Sequence, residues 1–300
     1  MTQFKIRFAK KTDKETVLNI CQNTWQDSED YIPLVWDEWI EDSRGKIFVV
    51  TTTAEDIPIA LRRVFLISEN ESWWEGFRVA PNYRKYFLSI ISLVEKSINQ
   101  YLLENNISRS RSCVWSNSKA MQTYTWKRKK RDRIGKYTLY EAEIIKESSN
   151  KIIKLNLDYF DRVYSLITKY NSYPESKKNK IIYASISDKC QELTEQEIRD
   201  RLKLGKIWGL KEKETITDIA IESPTTIDKQ QFWIGYISGE TETLSTLLLE
   251  IIKLAYSQKK SNVGLFVSCQ ENVLKSLDRA GYKRSTPHDI FVYQWENNKP

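Results

Sequence analysis

Apolar positions along this chain alternate between a period of two and a period near 3.6 residues, and the switches mark its elements. Phe4-Lys5-Ile6-Arg7-Phe8-Ala9 alternates as a strand does. Thr12-Asp13-Lys14-Glu15 then reads as a capping box opening a helix through Val17, Ile20, Cys21 and Trp25. Asp30-Tyr31-Ile32-Pro33 breaks the chain, and Leu34–Glu41 predicts a short second helix. Lys46–Thr52 and Ile59–Ser68 read as strands, with Glu55-Asp56 and Glu69-Asn70-Glu71 as turns. Trp73–Val79 is a further strand. It turns at Ala80-Pro81-Asn82 and becomes a long amphipathic segment from about Tyr83 to Leu103, where Ile90, Ile91, Leu93, Val94, Ile98, Tyr101 and Leu102 recur at helical spacing. Pro81 cannot continue the strand and fixes φ at the bend. Ser110–Trp115 reads as a buried strand, Asn117–Trp126 as a helix and Tyr137–Ile145 as a strand.

Glu147-Ser148-Ser149-Asn150-Lys151 is polar and without period, a natural linker. Beyond it the pattern gives a strand at Ile152–Leu157, a helix at Asp158–Tyr170 and a helix at Glu195–Leu204. Strands follow at Lys206–Leu210, Ile216–Ile221 and Phe232–Tyr236. Thr241–Tyr256 is a strong helix, Val263–Ser268 a strand, Glu271–Ala280 a helix and Ile290–Trp295 a last strand. That final portion repeats the second half of the first in order: strand, long helix, strand, short helix, strand. Two domains are expected, residues 1–148 and 151–300.

Composition narrows the chemistry. Three hundred residues with 40% hydrophobic and 29% charged side chains suit a soluble globular chain with a real core. No apolar run approaches a membrane span and MTQFKIRFAKK has no signal-peptide core, so a cytoplasmic protein without a membrane partner is expected. Cys21, Cys113, Cys190 and Cys269 are far apart, which favours reduced thiols over a disulfide framework or zinc site. His288 is the only histidine, which removes most histidine-based triads and metal sites. The net charge of +7 favours acidic partners. Its densest run, Lys127–Arg133, is either a solvated loop or a contact for phosphates or an acidic carrier protein. Nucleic acid ranks third, for want of a fold signature or interleaved aromatics.

The Trp73–Tyr101 stretch carries the sharpest chemical suggestion. Arg84 and Lys85 fall in the first turn of its helix, where exposed N–H groups and the positive dipole end make an anion site. An ordinary β–α connection with solvated basic residues is the alternative.

A strand ending in V-x-P, then two residues, an arginine, a basic residue and a long helix resembles motif A of the GNAT superfamily of N-acyltransferases. Downstream, Asn117-Ser118-Lys119-Ala120-Met121-Gln122-Thr123-Tyr124 is similar to that superfamily's N-x-x-A-x-x-x-Y segment. The resemblance implies an α/β fold with a mixed sheet, in two tandem GNAT-like domains of which the second is degenerate. It lacks the Arg-x-x-Gly turn, with Gly235–Glu240 in its place, and has no counterpart of Tyr124. The resemblance further implies that the backbone of Phe77, Arg78 and Val79 holds the pantetheine arm of acetyl-CoA or a longer acyl-CoA. A splay between the two central strands would admit the thioester. Arg84, Lys85, Tyr86, Phe87, Leu88 and Ser89 would surround the pyrophosphate, with Asn117 nearby, and Tyr124 would protonate the departing thiolate. Glu75 or water would take the proton of the attacking ammonium; the alternative for Glu75 is a surface carboxylate paired with Arg62, Arg63 or Arg78. Tyr31, Trp36 and Trp39 lie where the family builds one wall of the acceptor site. Exposed there, they would suit an amine through cation–π contact; the alternative is that Trp36 and Trp39 pack inward. The family uses no metal and no covalent enzyme intermediate.

One departure stands out. The family pattern R/Q-x-x-G-x-G/A reads here Arg84-Lys85-Tyr86-Phe87-Leu88-Ser89, so Phe87 replaces a glycine that lets backbone approach phosphate. A shifted pyrophosphate, an acyl carrier protein as donor, or lost activity would each account for it. Thr125-Trp126-Lys127 likewise replaces the usual G-F/Y after the tyrosine. These departures favour the rival expectation, a non-catalytic GNAT-like binding protein. Over the whole chain the arrangement looks most like the histidine N-acetyltransferase family, through E-G-x-R-V-A-P at Glu75–Pro81 and V-G-L-x-V-x-C-Q at Val263–Gln270. It implies acyl transfer to a primary amine of an amino acid or a peptide side chain.

Overall fold

The computed structural model describes residues 4–22, 24, 30–118, 121, 124, 131–170, 181–225 and 227–297. It is a mixed α/β fold with seven α-helices among the described residues. Its contacts divide the chain into two compact units, Met1–Cys113 with Gln294–Pro300, and Val114–Tyr293. The polar linker at 147–151 lies inside the second of these.

The first unit is built on five strands: β1 (Phe4–Phe8), β2 (Gly45–Thr52), β3 (Pro58–Leu66), β4 (Glu71–Val79) and β5 (Arg109–Trp115). The first four pair antiparallel in order, and β5 runs parallel to β4. Alternation on β2 splits the core, as a period of two requires. Ile47 and Val49 face α1 (Lys14–Cys21) and α2 (Ile32–Glu41), with Val17, Ile20, Val35, Trp36 and Trp39. Phe48 and Val50 face α3 (Phe87–Glu104), with Ile90, Val94 and Ile98. The capping interaction falls two residues ahead of the expected Thr12–Glu15 box, with Asp13 closing a 3₁₀ turn that starts after Lys10. The Asp13 carboxylate accepts from the Lys10 N–H (2.7 Å) and pairs with Arg7 (2.8 Å), and α1 begins after it. Trp25 lies outside the described residues.

The strand–turn–helix differs from its expected form in two places. The helix does not start near Tyr83: Pro81–Tyr86 winds as a 3₁₀ helix and regular α-helix begins at Phe87, so Arg84 and Lys85 stand in the last turn of the 3₁₀ segment and not in the first turn of the long helix. The strand is also interrupted. Leu61 pairs with Arg78 and Arg63 with Glu75, so Gly76 and Phe77 stand opposite Arg62 alone, a β-bulge. Gly76 has φ +67, and a Cβ there would lie 2.9 Å from the Trp39 ring. Both backbone and space therefore demand glycine. Just before the bulge, β4 and β5 stop pairing: only Glu71–Trp74 is matched with Arg109–Ser112.

Residues 294–297 return to this unit along β5. Arg111 donates to Gln294 Oε1 (2.9 Å), Ser110 Oγ to Asn297 Oδ1 (2.9 Å), and Trp295 meets Trp74 edge-on at 5.0 Å. Beneath them Arg109 and Arg111 share the buried Glu71 carboxylate.

In the second unit the strand order is β6 (Asp132–Glu143), β13 (Asn262–Ser268), β12 (Phe232–Gly239), β11 (Thr215–Glu222), β10 (Ile207–Glu212) and β7 (Ile152–Lys154); β14 (Lys283–Arg284) also pairs with β6. β15 (Ile290–Glu296) crosses the boundary between the units. Helices α4 (Phe160–Lys169), α5 (Glu195–Lys203), α6 (Thr241–Ser257) and α7 (Glu271–Arg279) complete it. Its main core sets Leu244, Leu248, Ile251 and Ile252 of α6 against Ile234, Leu265 and Tyr140. The hairpin β8 (Ile182–Ile186) and β9 (Lys189–Glu192) forms a separate small sheet that the pattern did not predict. The helix expected at Asn117–Trp126 lies mostly outside the described residues, as does Lys127–Lys130.

The β4 pattern recurs in this unit. β12 and β13 run parallel but pair only over Phe232–Ile234, and a register shift opposite Ile221/Glu222 leaves Gly235 as the extra residue. A Cβ on Gly235 would overlap the Ala184 carbonyl oxygen, so β8 lies directly on this bulge. At the end of β12, Asp218 of β11 is fully buried against Gly239, and neither carboxylate oxygen has a hydrogen-bond partner. Burial pushes its carboxyl up to about 6. The nearby hydroxyls of Thr243 and Thr217 pull the other way, and Glu212 and Glu240 add a weaker upward push.

Two outcomes follow for stability. Gly76→Ala should cost about 2–4 kcal/mol, from a left-handed backbone position and a clash with Trp39, read as a lower denaturant midpoint at unchanged slope. For Asp218 the folded-state pKa lies above the unfolded one, so its contribution is fully present below about pH 4 and is lost as pH rises through 6. Asp218→Asn should therefore be the more stable protein at pH 8, by up to about 3 kcal/mol, with the gap closing near pH 4. A gap that does not change with pH would contradict this assignment.

Candidate active site

Two arginines on β3 frame the β4 bulge, one on each face. Arg62 lies over the rings of Trp74 (5.0 Å) and Phe77 (5.4 Å) on the α3 side. Arg63 points to the other side, 2% exposed, against Trp39 (4.9 Å) and Phe65 (5.0 Å). Its Nη1 donates to Glu75 Oε1 at 2.5 Å and its Nη2 to Asp42 Oδ2 at 2.6 Å. Gly45 makes room for it: a Cβ there would overlap Nη2. Glu75 is thus an inward carboxylate in a buried ion pair beside the bulge, not a surface one.

Beyond the bulge Arg78 also turns inward. It makes a two-pronged pair with Asp30 (2.6 and 3.0 Å), donates to the Phe77 carbonyl (3.0 Å) and lies over Tyr31 at 5.5 Å. Asp30 at the same time accepts from the N–H of Ile32 (3.1 Å), the first residue of α2. One carboxylate therefore joins the start of α2 to β4. Burial and the nearby Asp30 push the Cys21 thiol up to about 12, which removes it as a nucleophile.

The expected aromatic wall is corrected here. Trp36 and Trp39 are 1% and 3% exposed and belong to the core between α2 and the sheet, so they present no surface to an acceptor. Their three-residue spacing places both on the inner face of α2. Only Tyr31 stays half-buried, edge-on to Trp39 at 5.8 Å.

Around the turn, side chains sort by direction. Tyr86 and Phe87 are half-buried: Tyr86 meets Phe4 edge-on at 5.5 Å, and Phe87 meets Phe77 edge-on at 5.9 Å. Arg84, Lys85, Leu88 and Ser89 are exposed. Arg84 Nε reaches the Val79 carbonyl at 3.4 Å, and Lys85 lies over Tyr86 at 5.1 Å. The Phe87 ring thus meets β4 at Phe77 while staying partly exposed. A groove of about 250 Å³ adjoins the turn, lined by Thr16, Asn19, Ile57, Ala80, Pro81 and Tyr83 among others.

Asn117 and Tyr124 belong to the second unit. Asn117 is exposed in the turn after β5; Tyr124 is helical and half-buried, its ring 5.9 Å from the Arg131 guanidinium. The corresponding strand–turn–helix of that unit, β12 into α6, carries acidic groups where the first carries basic ones. Glu240 precedes α6 and accepts from the Tyr170 hydroxyl at 2.5 Å, with Asp218 buried beside it. Among the described residues no cluster of three or more histidine, cysteine or acidic side chains could hold a metal ion, and no helix is long and apolar enough to cross a membrane.

The pairing of Glu75 with Arg63 is one of those expected from the sequence, though it is buried rather than at the surface; Asp30 and Asp42 are additions from the structure. Asp30 had a signal, as an acidic residue two positions ahead of Ile32-Pro33; the pairing of Arg63 with Asp42 had none.

No family model matches the chain, and no curated protein does. Solved structures do. A GCN5-related N-acetyltransferase from Sphaerobacter thermophilus is 13% identical with a TM-score of 0.61, covering 99% of this chain and 96% of its own. A putative acetyltransferase from Thermoplasma acidophilum is also 13% identical, with a TM-score of 0.59 and coverages of 97% and 99%. A tandem GNAT protein from the clavulanic acid biosynthesis pathway is 9% identical, with a TM-score of 0.54 and coverages of 99% and 100%. At these identities the likeness establishes the fold: this chain is built as GCN5-related N-acetyltransferase structures are, a tandem one among them.

Proposed function

We propose that this protein is an N-acyltransferase that moves an acyl group from a thioester donor to a primary amine by direct attack. The observation that carries the reading is β4. It leaves β5 after Trp74, bulges at Gly76 and Phe77, and ends in a turn whose outward face is Arg84, Lys85, Leu88 and Ser89. Strands that part expose main-chain N–H and C=O groups to a ligand, and an extended pantetheine arm is a ligand of that form. The basic turn suits the phosphates of acyl-CoA. Phe87 leans on Phe77, and its Cβ in place of a glycine shifts the pyrophosphate away from the backbone there.

In this reading the amine nitrogen bonds to the acyl carbon, the C–S bond breaks, and the thiolate leaves with a proton from Tyr124. Glu75, or water, takes the proton that the attacking amine sheds. Tyr31 borders the acceptor. The catalytic domain is residues 1–148, and 151–300 form a degenerate, non-catalytic partner domain whose acidic corner at Glu240 and Asp218 disfavours phosphate. The working compartment is the cytoplasm. An acyl carrier protein is the alternative donor, and free histidine, other amino acids and peptide amines form the acceptor panel.

The first test is thermal stability against acetyl-, medium-chain and long-chain acyl-CoA and an acylated carrier protein. A donor at about 100 times its Kd stabilises by about 2.7 kcal/mol, enough to rank the panel. Arg84→Glu should abolish the shift given by acyl-CoA. Tyr124→Phe should keep that shift and lose about 100-fold or more in turnover. If no thioester moves the midpoint, the donor reading is wrong; a shift without turnover on any amine makes the protein a binding protein.

A further inference from the structure

We infer that Arg63 is a positioning residue for Glu75, holding that carboxylate at the mouth of the β4 bulge in the orientation that receives the amine's proton. The inference rests on the acyl-transfer reading and adds a residue that the reading does not use.

Arg63 and Glu75 face each other directly across the β3–β4 ladder, the last matched pair before the register shifts. From there both terminal nitrogens of the guanidinium are held, while its buried Nε makes no hydrogen bond. One nitrogen holds Glu75, another holds Asp42 just beyond α2, and the plane lies against Trp39 and Phe65. Trp39 is also the ring that a side chain at Gly76 would strike. The bulge backbone and the Glu75 carboxylate are therefore held by the same buried parts. A planar fork can serve two carboxylates at once, and a lysine ammonium cannot reproduce that geometry. The construction has a cost: burying a cation with two anions is a poor way to gain stability compared with apolar packing. What it supplies is orientation, because a group that must meet a reacting proton works only within a narrow range of distance and angle.

The proton balance is simple. The nitrogen that bonds to the acyl carbon carries one proton too many as the C–S bond breaks; Glu75 accepts it and later returns it to solvent. Arg63 neither gains nor loses a proton.

The test is a double-mutant cycle on turnover at saturating donor, with Arg63→Lys, Glu75→Gln and the pair. Donor binding, read by thermal shift, should be unchanged in all three. Arg63→Lys should lower kcat about 10- to 100-fold with little change in the donor KM. Glu75→Gln should lower it at least as far, and the double variant should be no slower than Glu75→Gln alone. If the two losses multiply, Arg63 does not act through Glu75 and the inference is overturned. Asp42→Ala removes the second anchor while sparing the buried cation, so it serves if Arg63→Lys does not fold. It should cost several-fold in kcat with the Glu75 carboxylate present and nothing in the Glu75→Gln background; equal cost in both overturns the inference. Full turnover by Glu75→Gln would instead remove Glu75 as proton acceptor while leaving acyl transfer standing. No turnover by the unaltered protein on any amine would defeat the acyl-transfer reading, and this inference with it.

Discussion

The first unit depends on one close approach, that of the Trp39 ring to the backbone of Gly76. The indole occupies the space where any side chain would be, so α2 can settle on the sheet only if β4 carries a glycine there. That glycine, at positive φ, is what lets the strand bulge. The bulge and the loss of pairing to β5 then leave the end of β4 without a strand partner on one side, which no isolated strand sequence would choose. Arg63 locks the arrangement from behind, with Asp42 and Glu75 as its two anchors. Helix packing and strand irregularity are here one constraint seen from two sides.

Much of this fold is legible in the sequence. Alternation on β1 to β3 and the helical spacing from Ile90 to Leu102 fix the layers, because each face has a single choice of what to bury. The order of elements in the second half is legible for the same reason. The bulge is not: a glycine between Glu75 and Phe77 reads equally well as a flat strand, and only the register against β3 reveals it. The hairpin β8–β9 escapes because its strands are short and its polar positions, Lys189 and Gln191, are buried rather than exposed. Alternation reports burial only where polar means outside.

The strand and turn of the candidate site are legible in the sequence; the directions of its side chains are not. Motif spacing locates the strand, the turn and the basic pair. It also shows the volume of Phe87 without its direction; the ring meets Phe77 edge-on and stays half-buried. For Trp36 and Trp39 the direction is inward. Their size suggests a ligand wall, yet large aromatics three residues apart on an amphipathic helix are core first.

Residues 294–297 close the edge of a unit whose other members end at Cys113, so about 180 residues of intervening chain separate β5 from the segment lying on it. Ser110, Arg109 and Arg111 have Ser72 and Glu71 within the first unit, but Gln294, Glu296 and Asn297 reach them only once the second unit has been synthesised. Until then the growing chain presents an open sheet edge with buried-type charges facing water, the kind of surface that chaperones hold and that other chains can pair with. Each unit is compact, yet the two cannot be finished in the order in which they are read.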